Sequence, residues 1–247
     1  MHILMTDRSF FKETVKVVIG KGAKLVEIDV PKYRLCEVSE FFAAACSHRW
    51  ASGREGVINL DEEDPKVFSL FLAWAFDGSI DASEDCIIVD GIDAKNRERS
   101  ALKRHRQLID CFLLGQKLLA HDFKNAAMDL IVKSYELCHQ EFNTIPALSP
   151  GVAYIYANTS PCSPLRRSLV DTVLAKSAAD FFTIGVSRDG HEPSKYYEEY
   201  LIEVLAVARP FVVSRKFVII PKACYEKDPC VYHEHPGKPS DYICTDI

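Results

Sequence analysis

The spacing of apolar positions changes period several times along the chain, and each change marks an element. VKVVIG (15–20) is a β-branched run that stops at Gly20. In KLVEIDV (24–30), Leu25 and Val26 open an alternating stretch continued by Ile28 and Val30. Two short strands joined through a glycine-containing turn predict a β-hairpin. From Pro31 the period becomes helical. Leu35, Val38, Phe41, Phe42 and Ala45 recur at helix spacing in PKYRLCEVSEFFAAACS, and proline suits a first helical position.

VINL (57–60) predicts a third strand. Asp64 then stands as an N-cap with Pro65 behind it, Val67, Leu70, Phe71, Trp74 and Ala75 form one apolar face, and Gly78 is placed to end the helix. Residues 79–106 break the pattern and are expected to be an insertion. They hold an apolar island, CIIVDGI, and a charged run, DAKNRERSALKRHR, best explained as a solvated loop entering a helix; a localisation signal or phosphate patch is the sharper alternative. QLIDCFLLGQKLLA and HDFKNAAMDLIVKSY predict a helical hairpin joined near His121 and Asp122. Further on, SPGVAYIYANT predicts a short helix. SPCSPLRRSLVDTVLAKSAADFF predicts a longer one capped by Ser163. KYYEEYLIEVLAVARPF predicts a third, ended at or before Pro210, and the remainder reads as extended and polar.

This ordered set resembles a BTB/POZ domain, closest to the large fungal group. The family pattern has a hairpin, then a helix with leucine, serine and phenylalanine at fixed offsets, matched by Leu35, Ser39 and Phe42. An I-x-L strand, an acidic residue, a proline, a phenylalanine and an aromatic-x-Gly turn follow, matched by Ile58, Leu60, Asp64, Pro65, Phe68, Phe76 and Gly78. The resemblance covers about residues 13–137, and LSPGVAYIYANTSPCSPLRRSLVD with a Cys/His-containing tail is similar to the helical extension of the fungal group. It implies an α+β BTB/POZ fold over 13–137, a mainly helical extension over 138–247, and a non-catalytic protein–protein interaction module acting by homo- or hetero-association. There are departures. Pro31 stands where the family usually has histidine before Lys32. Only about twelve residues precede the first strand, too few for the long N-terminal helix that makes the homodimer of many animal members. SHRWASGREG has Glu55 but no clean apolar-x-Glu motif of the cullin-binding members. A cullin-type ubiquitin-ligase adaptor is therefore the alternative rather than the first expectation.

Composition narrows the partners. The chain has 247 residues and is 48% hydrophobic, and a chain of this size buries about 70–75% of its unfolded surface without disulfide staples. A net charge of −5 argues against nucleic-acid binding, and no apolar run approaches the roughly 20 residues that span a bilayer. The N-terminal residues show no signal-peptide pattern. The nine scattered cysteines fit reduced thiols in the cytoplasm or nucleus. GxGxxG, P-loop, GxSxG and HExxH patterns are absent, so no catalytic or cofactor-binding residue is assigned.

Two features carry candidate contacts. Trp50 lies in a polar loop and is expected, with Glu55, to meet a partner. Phe41, Phe42, Phe68, Phe71, Trp74 and Phe76 read as core rather than as a docking groove. CVYHEHPGKPSDYIC (230–244) packs Cys230, His233, His235 and Cys244 together, with Cys224 nearby. Four such N and S donors suit a structural zinc ion. The alternatives are unbound residues packed on the helical extension, and a metal-dependent active site.

Overall fold

A computed structural model describes residues 13–47, 54–80, 93–142, 151–183, 198–213 and 228–238. The fold is α+β, with a small three-stranded sheet and predominant helix. Two compact units divide the chain: 1–87 with 110–127, and 88–109 with 128–247. The division cuts through two long helices.

In the first unit, β1 (Thr14–Ile19) is the central strand, in the order β2-β1-β3. Its alternate residues Val15, Val17 and Ile19 are buried, the period-2 signature of a strand with one face on a core. β2 (Val26–Pro31) pairs with it antiparallel, and β3 (Val57–Leu60) pairs parallel, Val17 opposite Ile58. Gly20 opens the hairpin turn at φ +78°, where a β-carbon would meet the Lys24 carbonyl oxygen at 2.9 Å. Only glycine fits there.

A parallel β1–β3 pair needs a crossover, and helices α1 (Lys32–Val38) and α2 (Glu40–Ala45) lie along it. The apolar spacing predicted one helix here; Ser39 breaks it into two. Ser39 is extended (φ −145°, ψ 120°), and its Oγ accepts from the Phe42 amide while donating to the Leu118 carbonyl at 2.5 Å. A serine that caps satisfies an amide that the interior of a continuous helix would bond by itself, so the competing local bond wins.

α3 (Pro65–Asp77) forms as its caps predict. Asp64 accepts from the Lys66 amide at 2.8 Å, and Gly78 closes the helix in the left-handed conformation. Phe42, Phe68 and Phe71 are fully buried, with Phe71 stacked on Phe42 and edge-on to Phe123 at 5.2 Å. Each such ring contributes about 2–3 kcal/mol of burial. Phe76, by contrast, is exposed.

α4 (Ala94–Lys117) and α5 (His121–Phe142) form the expected helical hairpin. The charged run, expected to be a loop entering a helix, is helical from Ala94 onward. Its Lys, Arg, Glu and Ala residues are good helix formers, and the Asp93 carbonyl accepts from the Asn96 and Arg97 amides. The island 86–92 lies outside the described residues. Within the first unit the hairpin closes on Gly115, where a β-carbon would sit 3.0–3.1 Å from Lys124 atoms.

The second unit is helical. It joins residues 94–109 of α4 and 128–142 of α5 to α6 (Gly151–Asn158), α7 (Pro164–Thr183) and α8 (Glu198–Val213). Tyr135, Ile155, Leu165, Val173, Tyr200 and Val204 fill its core. Ser163 caps α7 through the Leu165 amide, as its sequence predicts. α8 runs past Pro210, against expectation; a proline removes one rung of the ladder without obliging the helix to stop there. Buried Arg166 ties this unit together. It donates to the Tyr156 and Thr159 carbonyls, pairs with Glu199 at 3.1 Å, and lies over the Tyr156 ring. Among the described residues no helix is long and apolar enough to cross a membrane.

Candidate functional site

A short turn of the second unit gathers the ligand-type residues. Pro229–Tyr232 is a single 3₁₀ turn. Asp228 caps it by accepting from the Cys230 amide at 2.9 Å, and the His233 amide donates back to the Cys230 carbonyl at 2.9 Å. These two bonds fold the backbone so that residues 230, 233 and 235 face a common point. The donor atoms of Cys230, His233 and His235 all lie within 4.8 Å of one another. The two imidazoles meet edge-on, with centroids 5.8 Å apart.

Longer-range contacts hold the turn on the helices of its own unit. Tyr232 is buried, and its hydroxyl donates to Asp171 of α7 at 2.6 Å. Arg167, one residue past the buried Arg166, reaches the Val231 carbonyl at 3.4 Å. His233 Nε2 is 2.8 Å from Asp129 Oδ1 on α5. The His233 side chain is only 4% exposed, so this contact is shielded from water while Asp129 stays partly wet. Three contacts from two helices, α5 and α7, thus fix one turn.

Of the five residues predicted to hold zinc, Cys230, His233 and His235 come together; Cys224 and Cys244 lie outside the described residues. Trp50 also lies outside them. Glu55 is described and exposed, just before Gly56, whose carbonyl accepts from the Lys16 amide at the start of β3. Asp129 was missed by sequence reasoning. It lies 104 residues from His233, and no local spacing signals the pairing.

Elsewhere the titratable groups are shaped by burial. Cys36 and Cys46 share a hydrogen bond at the α1–α2 corner, which brings the Cys36 thiol down to about 7 and drives Cys46 up. Burial pushes Cys111 up to about 12, and His105 down to about 4. His105 Nδ1 contacts Ser134 Oγ at 2.6 Å, and Ser134 donates its own proton to the Ile131 carbonyl. The imidazole is therefore the donor to Ser134, a satisfied core histidine.

No protein-family model matches this chain, and no curated protein does either. The functional reading rests on the residues themselves.

Proposed function

We propose that the chain is a non-catalytic protein–protein interaction module of the BTB/POZ family, acting by homo- or hetero-association. One observation carries the reading: the connection of the first unit. A hairpin, a helical segment, a strand, a capped helix and a helical hairpin follow one another as in the resemblance, with the first helical segment broken in two at Ser39. Several of the matched residues support the reading by their places in the scaffold. Leu35, Phe42, Ile58 and Phe68 are buried, Ser39 starts α2, and Asp64 and Gly78 close the ends of α3. These positions serve the scaffold, so recognition falls to the surface.

β2 is an edge strand of the described sheet, and Leu25 and Val26 at its start are exposed. An edge with apolar side chains offers both unpaired backbone groups and buriable area to another chain. The test is sedimentation and native mass spectrometry of the full-length chain over a wide concentration range. A dimer that grows by mass action and is weakened by Val26→Lys supports the reading. A chain that stays monomeric and cross-links to no other protein in cells overturns it. A cullin recovered as a direct, stoichiometric partner would favour the adaptor alternative within the same class.

A further inference from the structure

We infer that Cys230, His233 and His235 bind one zinc ion, with Asp129 as the carboxylate that orients His233, and that this ion clasps the 228–238 turn to α5 and α7. The site goes beyond the interaction reading and does not depend on it.

The argument starts from donor chemistry. One thiolate and two imidazoles are a soft-to-borderline set that selects zinc over calcium or magnesium, which take oxygen ligands. Around tetrahedral zinc, with bonds of about 2.0–2.3 Å, neighbouring donors sit about 3.3–3.7 Å apart. The donors here already fall within 4.8 Å, so closure needs a movement of about 1 Å, within the reach of side-chain torsions.

The backbone is arranged before any ion arrives. Asp228 and the His233 amide close the turn by hydrogen bonds of their own, and Tyr232 anchors it through Asp171. Ligand entropy is therefore largely spent on folding rather than on binding. Asp129 supplies a further feature of zinc sites: a ligating histidine typically donates its other ring nitrogen to a carboxylate, which fixes the ring and raises its basicity. Asp129 takes Nε2 of His233, so the ion would be met through Nδ1. Binding deprotonates the Cys230 thiol and releases that proton to solvent; no oxidant or reductant is involved. Water or another side chain completes the tetrahedron.

The test uses the full-length chain purified without chelator. Native mass spectrometry is expected to find one zinc per chain, and Cys230→Ser and His235→Ala are each expected to lose it. Cobalt(II) exchanged into the wild type is expected to give a thiolate charge-transfer band that Cys230→Ser lacks. Asp129→Asn should keep the stoichiometry and weaken zinc binding about 10- to 100-fold. Chelation should speed amide exchange over 228–238 and leave the α7 core protected. Wild-type chain that takes up no zinc at micromolar metal overturns the inference, as does zinc retained equally by Cys230→Ser and His235→Ala. Because both variants lie in a peripheral turn, unchanged circular dichroism separates lost metal from lost fold.

Discussion

His105 makes the fold sensitive to acid over a defined window. The imidazole is 4% exposed, donates from Nδ1 to Ser134 and packs on Tyr135 with ring centroids 4.9 Å apart. Charging it there means burying a cation, and burial takes it from the ordinary 6.5 down to about 4. For a base held low, the unfolded chain binds the proton first. The contribution to stability is intact above 6.5 and is lost as pH falls from 6.5 toward 4. The full gap corresponds to about 3 kcal/mol, and lowering the pH from 7 to 5 removes about 2 kcal/mol of it. Urea unfolding followed by circular dichroism, at a series of pH values, measures this directly. His105→Gln keeps a donor for Ser134 and cannot titrate. Its stability should fall about 2 kcal/mol less than that of the wild type between pH 7 and 5. Other histidines and carboxylates titrate in both proteins and cancel in the difference. Parallel pH profiles for the two proteins would refute the reasoning.

Three further perturbations test separate parts of the fold. Gly115→Ala gains about 1 kcal/mol of helix propensity but drives a methyl to 3.0–3.1 Å from Lys124 backbone and Cβ atoms; a net loss of about 1–2 kcal/mol is expected, read as a lower thermal midpoint. Leu119 occupies the left-handed conformation at φ 49° and is exposed, so Leu119→Gly should raise the thermal midpoint by the equivalent of about 1 kcal/mol. Cys36, brought from 9.0 to about 7 by its bond to Cys46, should alkylate with iodoacetamide several-fold faster at pH 7 than an ordinary thiol. The gain is smaller than the rise in thiolate because a weaker base is a weaker nucleophile. Peptide mapping by mass spectrometry reads the rate, and Cys46→Ala should abolish the advantage.

The sequence made the sheet and α3 legible because their signals are local. Alternation in VKVVI, the Asp64–Pro65 start and the Gly78 stop each act within a few residues. Misjudged elements share the opposite property. Ser39 looks like one more position in a helical repeat until its hydroxyl is seen to bridge to Leu118, 79 residues away. The charged run 93–106 reads as a solvated loop entering a helix; the helix begins at Ala94, at the head of the run, since propensity rather than apolar spacing forms the first turns of α4.

The candidate metal site combines both kinds of signal, and that explains why spacing alone left it open. Cys230, His233 and His235 are local and were visible as donors; irregular gaps weigh against a zinc site only when a regular helix or knuckle must present the ligands. Here a capped 3₁₀ turn, Pro229–Tyr232, and the extended residues after it bring Cys230, His233 and His235 together without any repeat. What no spacing rule contains is the support: Asp129 on α5, Asp171 and Arg167 on α7, each holding the turn from a distant part of the second unit. A turn with little core of its own would fray unless tied down. Local and long-range hydrogen bonds do part of that tying, and an ion bound by three of its side chains would supply the rest. The metal and the interaction surface are then separable: removing zinc should loosen 228–238 in the second unit, whereas Val26→Lys should act on the β2 edge of the first, and neither change should reproduce the other.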